Sequence, residues 1–193
     1  MSQDQHGSFV IGPFGSDLLT SELTSSGVPV VYIRDIVSGD YKRVSTVCVT
    51  ERKATQLSVC KVLPGDVLIA KVGDPPGTAA IYPESEPMAI ITQDVIRIRV
   101  NRAYVTPEYL STFLNSPKGY QTLEPIIVEG TRARFGLTPY KELPIPVPPL
   151  TLQDKFADVV RRYDRLRNQQ REAERQAEHL FQTLLHRAFA DSA

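Results

Sequence analysis

The sequence is poor in the residues that carry most chemistry. Among its 193 residues are two cysteines and three histidines, and none of them stands in a pattern that makes a metal site or an activated nucleophile. Cys48 and Cys60 lie in apolar, strand-like surroundings with no histidine near either, so they read as buried thiols in a reducing compartment, not as a disulfide or a metal pair. His6 falls in a polar N-terminus read as frayed, and His179 and His186 are spaced too widely for the i, i+4 pairing of helical metal ligands. No glycine-rich loop opens a helix, no phosphate-cradling Lys-Ser/Thr motif occurs, and no serine sits at a nucleophile elbow. The expectation is a chain without catalytic residues, cofactor or metal. No apolar run approaches a membrane span, and the start MSQDQHGSFV lacks the charged-then-apolar order of an export signal; a soluble, cytoplasmic protein is expected. Neither sign of charge is in excess, with 22 Lys+Arg against 22 Asp+Glu. Residues 1–148 hold 14 basic against 15 acidic side chains, and residues 149–193 hold 8 against 7. Overall potential therefore gives no support for nucleic-acid binding, and any such site has to come from local clustering.

What the chain does have is a long amphipathic helix behind a proline-rich run. Pro144, Pro146, Pro148 and Pro149 cannot donate to a ladder or sit inside a helix, so PIPVPP is extended backbone. Thr151 with Asp154 three residues later is a capping-box-like start, and from Leu152 to Phe189 there is neither Gly nor Pro. The apolar positions form two heptad series, Leu152, Val159, Leu166, Ala173, Leu180 and Phe156, Tyr163, Gln170, Ala177, Leu184. Alternating steps of four and three describe a coiled-coil seam with Gln170 as a polar interruption. Such a helix is roughly 55 Å long, whereas a body of about 150 residues has a radius of gyration near ~15 Å. The expectation is a helix that overhangs its body and needs a second helix along its apolar edge.

The preceding residues read as a strand-rich body. Strands are expected at Phe9–Ile11, Val28–Ile36, Tyr41–Val49, Val67–Val72, Thr78–Tyr82, Met88–Ile91 and Asp94–Val100, with short helices at Glu51–Val59, Thr106–Asn115 and from Ser116. Glu129–Leu137 (EGTRARFGL) reads as a polar, basic loop. The fold class is α+β: a strand-rich domain over residues 1–148, then one long C-terminal coiled-coil helix over residues 149–193. Asp74-Pro75-Pro76 has the look of the catalytic loop of amino-group DNA methyltransferases, but Gly77 stands where that loop needs an aromatic, so a turn is expected. For recognition the candidates are Lys42, Arg43, Lys71, Arg132 and Arg134, short basic clusters beside glycines or aromatics. Arginine forks suit phosphate oxygens and guanine edges, and glycine admits close backbone approach.

The order of GPFGSDL (12–18), GVPVVYIRDI (27–36), LPGDVLIAKVGDPPGTAAIYP (63–83), YLSTFLNSPKG (109–119), GTRARFGLTPYKELPIPVPPL (130–150) and a terminal long helix resembles the specificity subunit of type I restriction-modification systems. That resemblance implies a target recognition domain reading one half of a split double-stranded DNA sequence. It implies helices that hold two such domains apart, modification subunits that methylate adenine, and a restriction subunit. Family members carry two recognition domains and two helical regions, against one of each here. The expectation is a half-subunit that homodimerises through the seam, with a fragment of a longer subunit as the other reading. A coiled-coil scaffold or adaptor without DNA contact is the competing function.

Overall fold

A computed structural model describes residues 8–37 and 39–190; His6 lies outside the described residues. The chain divides into two units, Met1–Gln153 and Asp154–Ala193. In chain order the strands are β1 (Phe9–Ile11), β2 (Leu23–Thr24), β3 (Val28–Val31), β4 (Ile36–Val37), β5 (Asp40–Tyr41), β6 (Cys48–Val49), β7 (Lys61–Val62), β8 (Val67–Ala70), β9 (Val72–Gly73), β10 (Ala79–Ile81), β11 (Ala89–Ile91), β12 (Val95–Ile98) and β13 (Ala133–Arg134). The helices are α1 (Glu51–Gln56), α2 (Pro107–Leu114), α3 (Pro117–Leu123), α4 (Leu137–Lys141) and α5 (Leu150–Ala190).

The sequence of β8, Val-Leu-Ile-Ala, is apolar throughout because both of its faces are covered. Val67 and Ile69 pack with Ile96, Ile98 and the α2 residues Leu110 and Phe113. Leu68 and Ala70, one step out of phase, pack with Val30, Val31, Ile90 and Ile91. The period of two thus sorts one strand between two cores. β8 lies inside a four-stranded antiparallel sheet ordered β1-β12-β8-β10. A five-stranded sheet, ordered β2-β6-β3-β11-β7, is antiparallel except where β3 runs with β11. Residues Thr92–Asp94 carry the chain from β11 in one sheet to β12 in the other. Both cysteines are free and buried, and burial pushes the Cys60 thiol up.

The expected long strands at Val28–Ile36 and Tyr41–Val49 are a correction. The structure breaks them into β3, a single 3₁₀ turn at Ile33–Asp35, β4, β5 and β6. Asp35 is the cause. Its fully buried carboxylate accepts N–H bonds from Tyr32 at 2.8 Å, Val44 at 2.9 Å and Ser45 at 2.8 Å, so the backbone folds around the acid instead of running on. Two other carboxylates accept the N–H three residues earlier, Glu22 from Leu19 and Asp66 from Leu63.

Helices α2 and α3 start as their sequences dictate, Thr106 accepting from Tyr109 N–H and Ser116 from Gly119 N–H, each with proline at the first helical position. α5 has 41 residues and is roughly 60 Å long. It begins at Leu150, ahead of Thr151, with the Pro149 carbonyl accepting from Leu152 and Gln153. All ten seam residues, Leu152, Phe156, Val159, Tyr163, Leu166, Gln170, Ala173, Ala177, Leu180 and Leu184, are exposed. The flanks carry Arg161–Asp158 and Arg175–Glu172 ion pairs one turn apart. No helix among the described residues is long and apolar enough to cross a membrane.

Gln153, in the first turn of α5 and within the first unit, is fully buried. Its amide donates to the carbonyls of Tyr104 and Pro148, both at 2.7 Å, and accepts from Thr106 N–H at 2.8 Å. Replacing it by leucine strands those three backbone groups in the interior. The Gln153→Leu protein is expected to lose ~2–4 kcal/mol of stability, seen as a lower urea midpoint at unchanged slope.

Candidate nucleic-acid interface

The first two residues beyond β8, Lys71 and Val72, open onto a surface concavity lined also by Gln93, Asp94, Gly130, Thr131, Arg132 and Arg134. Three segments far apart in sequence meet there. Lys71 N–H donates to Asp94 O at 2.8 Å, tying the end of β8 to the turn before β12. β9 pairs antiparallel with β13, Val72 opposite Arg134 and Gly73 opposite Ala133. Arg134 and Val128 exchange backbone hydrogen bonds of 3.1 and 2.7 Å, so Glu129–Ala133 forms the end of a hairpin. The expected loop at Glu129–Leu137 is thus corrected: a two-residue strand lies within it.

Phe135 fixes the hairpin from below. It is 2% exposed, stacks on Tyr140 at 5.1 Å, and donates its N–H to Lys71 O at 3.3 Å. Arg132 and Arg134 remain exposed. Between β9 and β10, Asp74–Thr78 is a turn containing a cis Asp74–Pro75 bond and Gly77 at φ +100°. A Cβ on Gly77 would sit 2.2 Å from Leu123 Cδ2. The position admits only glycine, and no aromatic could replace it as a base-stacking surface.

The concavity therefore gathers three cations around one carboxylate, Asp94, beside Gly130 and Thr131. Of the candidate residues, Lys71, Arg132 and Arg134 converge here. Lys42 and Arg43 do not line it: both are exposed after β5, and Arg43 pairs with Glu86 at 3.6 Å. Sequence reasoning missed Gln93, which lies between two expected strands, and Asp94, which read only as the first residue of the second. A second concavity shares both residues and continues to Gly15, Thr20 and Tyr32. Gly12 brings its loop that close, since a Cβ there would lie 2.1 Å from Thr92 O. Arg34 lies over the Tyr32 ring, 5.0 Å from its centroid, and donates to Ser45 Oγ at 2.8 Å.

Residues 18–177 match the type I restriction modification DNA specificity domain. The chain belongs to that family. Its fold is similar to that of two solved chains. A chain from work on the structural basis underlying complex assembly and conformational transition of the type I R-M system superposes with TM-score 0.60 at 17% identity. It covers 82% of this chain and 36% of that one. The HsdS subunit from Thermoanaerobacter tengcongensis superposes with TM-score 0.54 at 16% identity, over 82% of this chain and 35% of its own. The specificity domain described here thus spans about a third of the length of either. No curated protein matches the sequence.

Proposed function

We propose that this specificity domain reads one half of a bipartite duplex DNA target on behalf of a type I restriction-modification complex. The observation that carries the reading is the convergence of Lys71, Arg132 and Arg134 on one concavity with the backbone of Gly130 and Thr131. Arginine and lysine neutralise phosphates there, and the guanidinium forks offer paired donors to guanine O6 and N7. The chain contributes recognition, while partner subunits carry out adenine methylation and cleavage. The domain over residues 1–148 is the reader, and residues 149–193 are the spacer and docking arm.

The exposed seam of α5 is the dimerisation surface in this reading, pairing two copies so that two bodies face a two-fold symmetric split site. Leu166→Glu together with Leu180→Glu puts carboxylates into that seam. Sedimentation equilibrium is expected to show a wild-type dimer at micromolar concentration and a variant weakened at least ~100-fold, as unpaired charge in a desolvated seam costs about 3 kcal/mol or more. A monomeric wild-type protein with an ordered helix would end the dimer reading.

The second reading, a scaffold without DNA contact, draws on the neutral net charge. Salt separates the two, because phosphate contacts make affinity fall steeply with ionic strength. The decisive experiment is methylation mapping of genomic DNA in cells with and without this chain. A split adenine-methylated motif that disappears with the chain is the expected outcome, and an unchanged methylation pattern would reject the DNA-reading role.

A further inference from the structure

We infer that Gln93 is a base-reading residue, its side-chain amide set to pair with the major-groove edge of an adenine. The inference rests on the DNA-reading function proposed above and assigns one of its specificity contacts. Gln93 is the exposed residue that lines both concavities, the cationic one with Lys71, Arg132 and Arg134 and a second, lined by no basic side chain, with Gly15 and Tyr32; Asp94 lines both and is half-buried. A duplex held by the three cations along the first surface passes over this residue to reach the second. Cations placed to one side position the backbone, and a neutral side chain carrying both a donor and an acceptor lies where base edges come next.

The chemistry of the side chain selects the base. A carboxamide presents N–H and C=O side by side, which matches adenine N6–H and N7 in a bidentate pair; the cations beside it favour guanine. The mounting is rigid as well. Thr92 N–H and Thr92 Oγ1 both donate to Val31 O, at 3.1 and 3.0 Å. Val95 N–H closes the turn on Thr92 O at 3.0 Å, and Asp94 O is held by Lys71 N–H. β11 and β12 on either side are fully buried strands of different sheets. The loop from Gly12 packs its backbone against the Thr92 carbonyl. A residue on such a mount loses little backbone entropy on binding, as a specificity contact requires.

The test uses the full chain with its modification subunits and duplexes bearing the motif found by methylation mapping. Each adenine is replaced in turn by 7-deazaadenine, which keeps pairing and shape but lacks the N7 acceptor. The wild-type complex is expected to lose about 5- to 150-fold in affinity at one adenine. Gln93→Ala is expected to lose a similar factor on the natural duplex and to show no further loss at that adenine, while melting unchanged. Gln93→Ala that keeps the wild-type sensitivity at every adenine overturns the inference. If the wild-type complex itself shows no sequence preference, the DNA-reading proposal fails, and the inference with it. A preserved motif with Gln93-independent binding removes the inference alone.

Discussion

Replacing both Arg132 and Arg134 by alanine is expected to weaken specific DNA binding by ~2–4 kcal/mol, on the order of 30- to 1,000-fold. Both side chains are exposed on the hairpin end, and both line the concavity with Lys71. The hairpin itself should survive, because it is held by the Val128–Arg134 backbone bonds, the β9–β13 pairing and buried Phe135, none of which needs a guanidinium. Titrations at several salt concentrations separate two modes of contact. If the arginines sit on phosphates, the slope of log K against log salt falls by about 0.9 for each. If they read base edges, the slope holds while discrimination at particular positions relaxes. Unchanged affinity in the assembled complex would exclude this loop as the contact surface and return attention to Lys42 and Arg43.

The second large effect is on stability. Asp35→Ala is expected to lower the unfolding free energy of the body by about 3–5 kcal/mol. The acid is fully buried and accepts three backbone N–H groups, from Tyr32, Val44 and Ser45. Alanine returns none of those bonds and leaves donors inside with no acceptor within reach. Loss of this size is a large share of the 5–15 kcal/mol typical of a domain, so the variant should unfold at a visibly lower urea concentration and temperature. Asp35→Asn keeps an acceptor of the same shape and should recover roughly half. A shift below ~1 kcal/mol for Asp35→Ala would show that water replaces the carboxylate at little cost.

The parts of the fold that follow from local rules were readable in advance. α5 announces itself through heptads and the absence of Gly and Pro, and α2 and α3 through Thr106-Pro107 and Ser116-Pro117. The helix starts two residues earlier than expected, at Leu150 instead of Leu152, with the Pro149 carbonyl accepting its first bonds from Leu152 and Gln153. What escaped were choices made by distant partners. Nothing in VYIRDI shows that Asp35 will turn inward toward Val44 and Ser45, so β-formers on either side of it read as one strand. The short strand at Ala133–Arg134 exists only because Val72–Gly73 lies beside it. Arg97 and Arg99 alternate with apolar residues in the expected Asp94–Val100 strand, yet Arg97 is buried and Arg99 clasps buried Asp66 at 2.8 and 2.7 Å. The interface shows the same division. Arg132 and Arg134 could be nominated from composition, but Lys71 joins them, and Gln93 enters at all, only through the crossing from one sheet to the other.

The hairpin that carries Thr131, Arg132 and Arg134 is fastened by main-chain bonds and by a single ring, Phe135, that points the other way. Under the DNA-reading proposal, stability and reading are consequently written in separate letters of the same segment. Side chains at those three exposed positions can be exchanged for others of different size and charge without repacking the interior, so on that proposal a change of target sequence there carries little penalty in folding. The body is a fixed stage with a replaceable stylus.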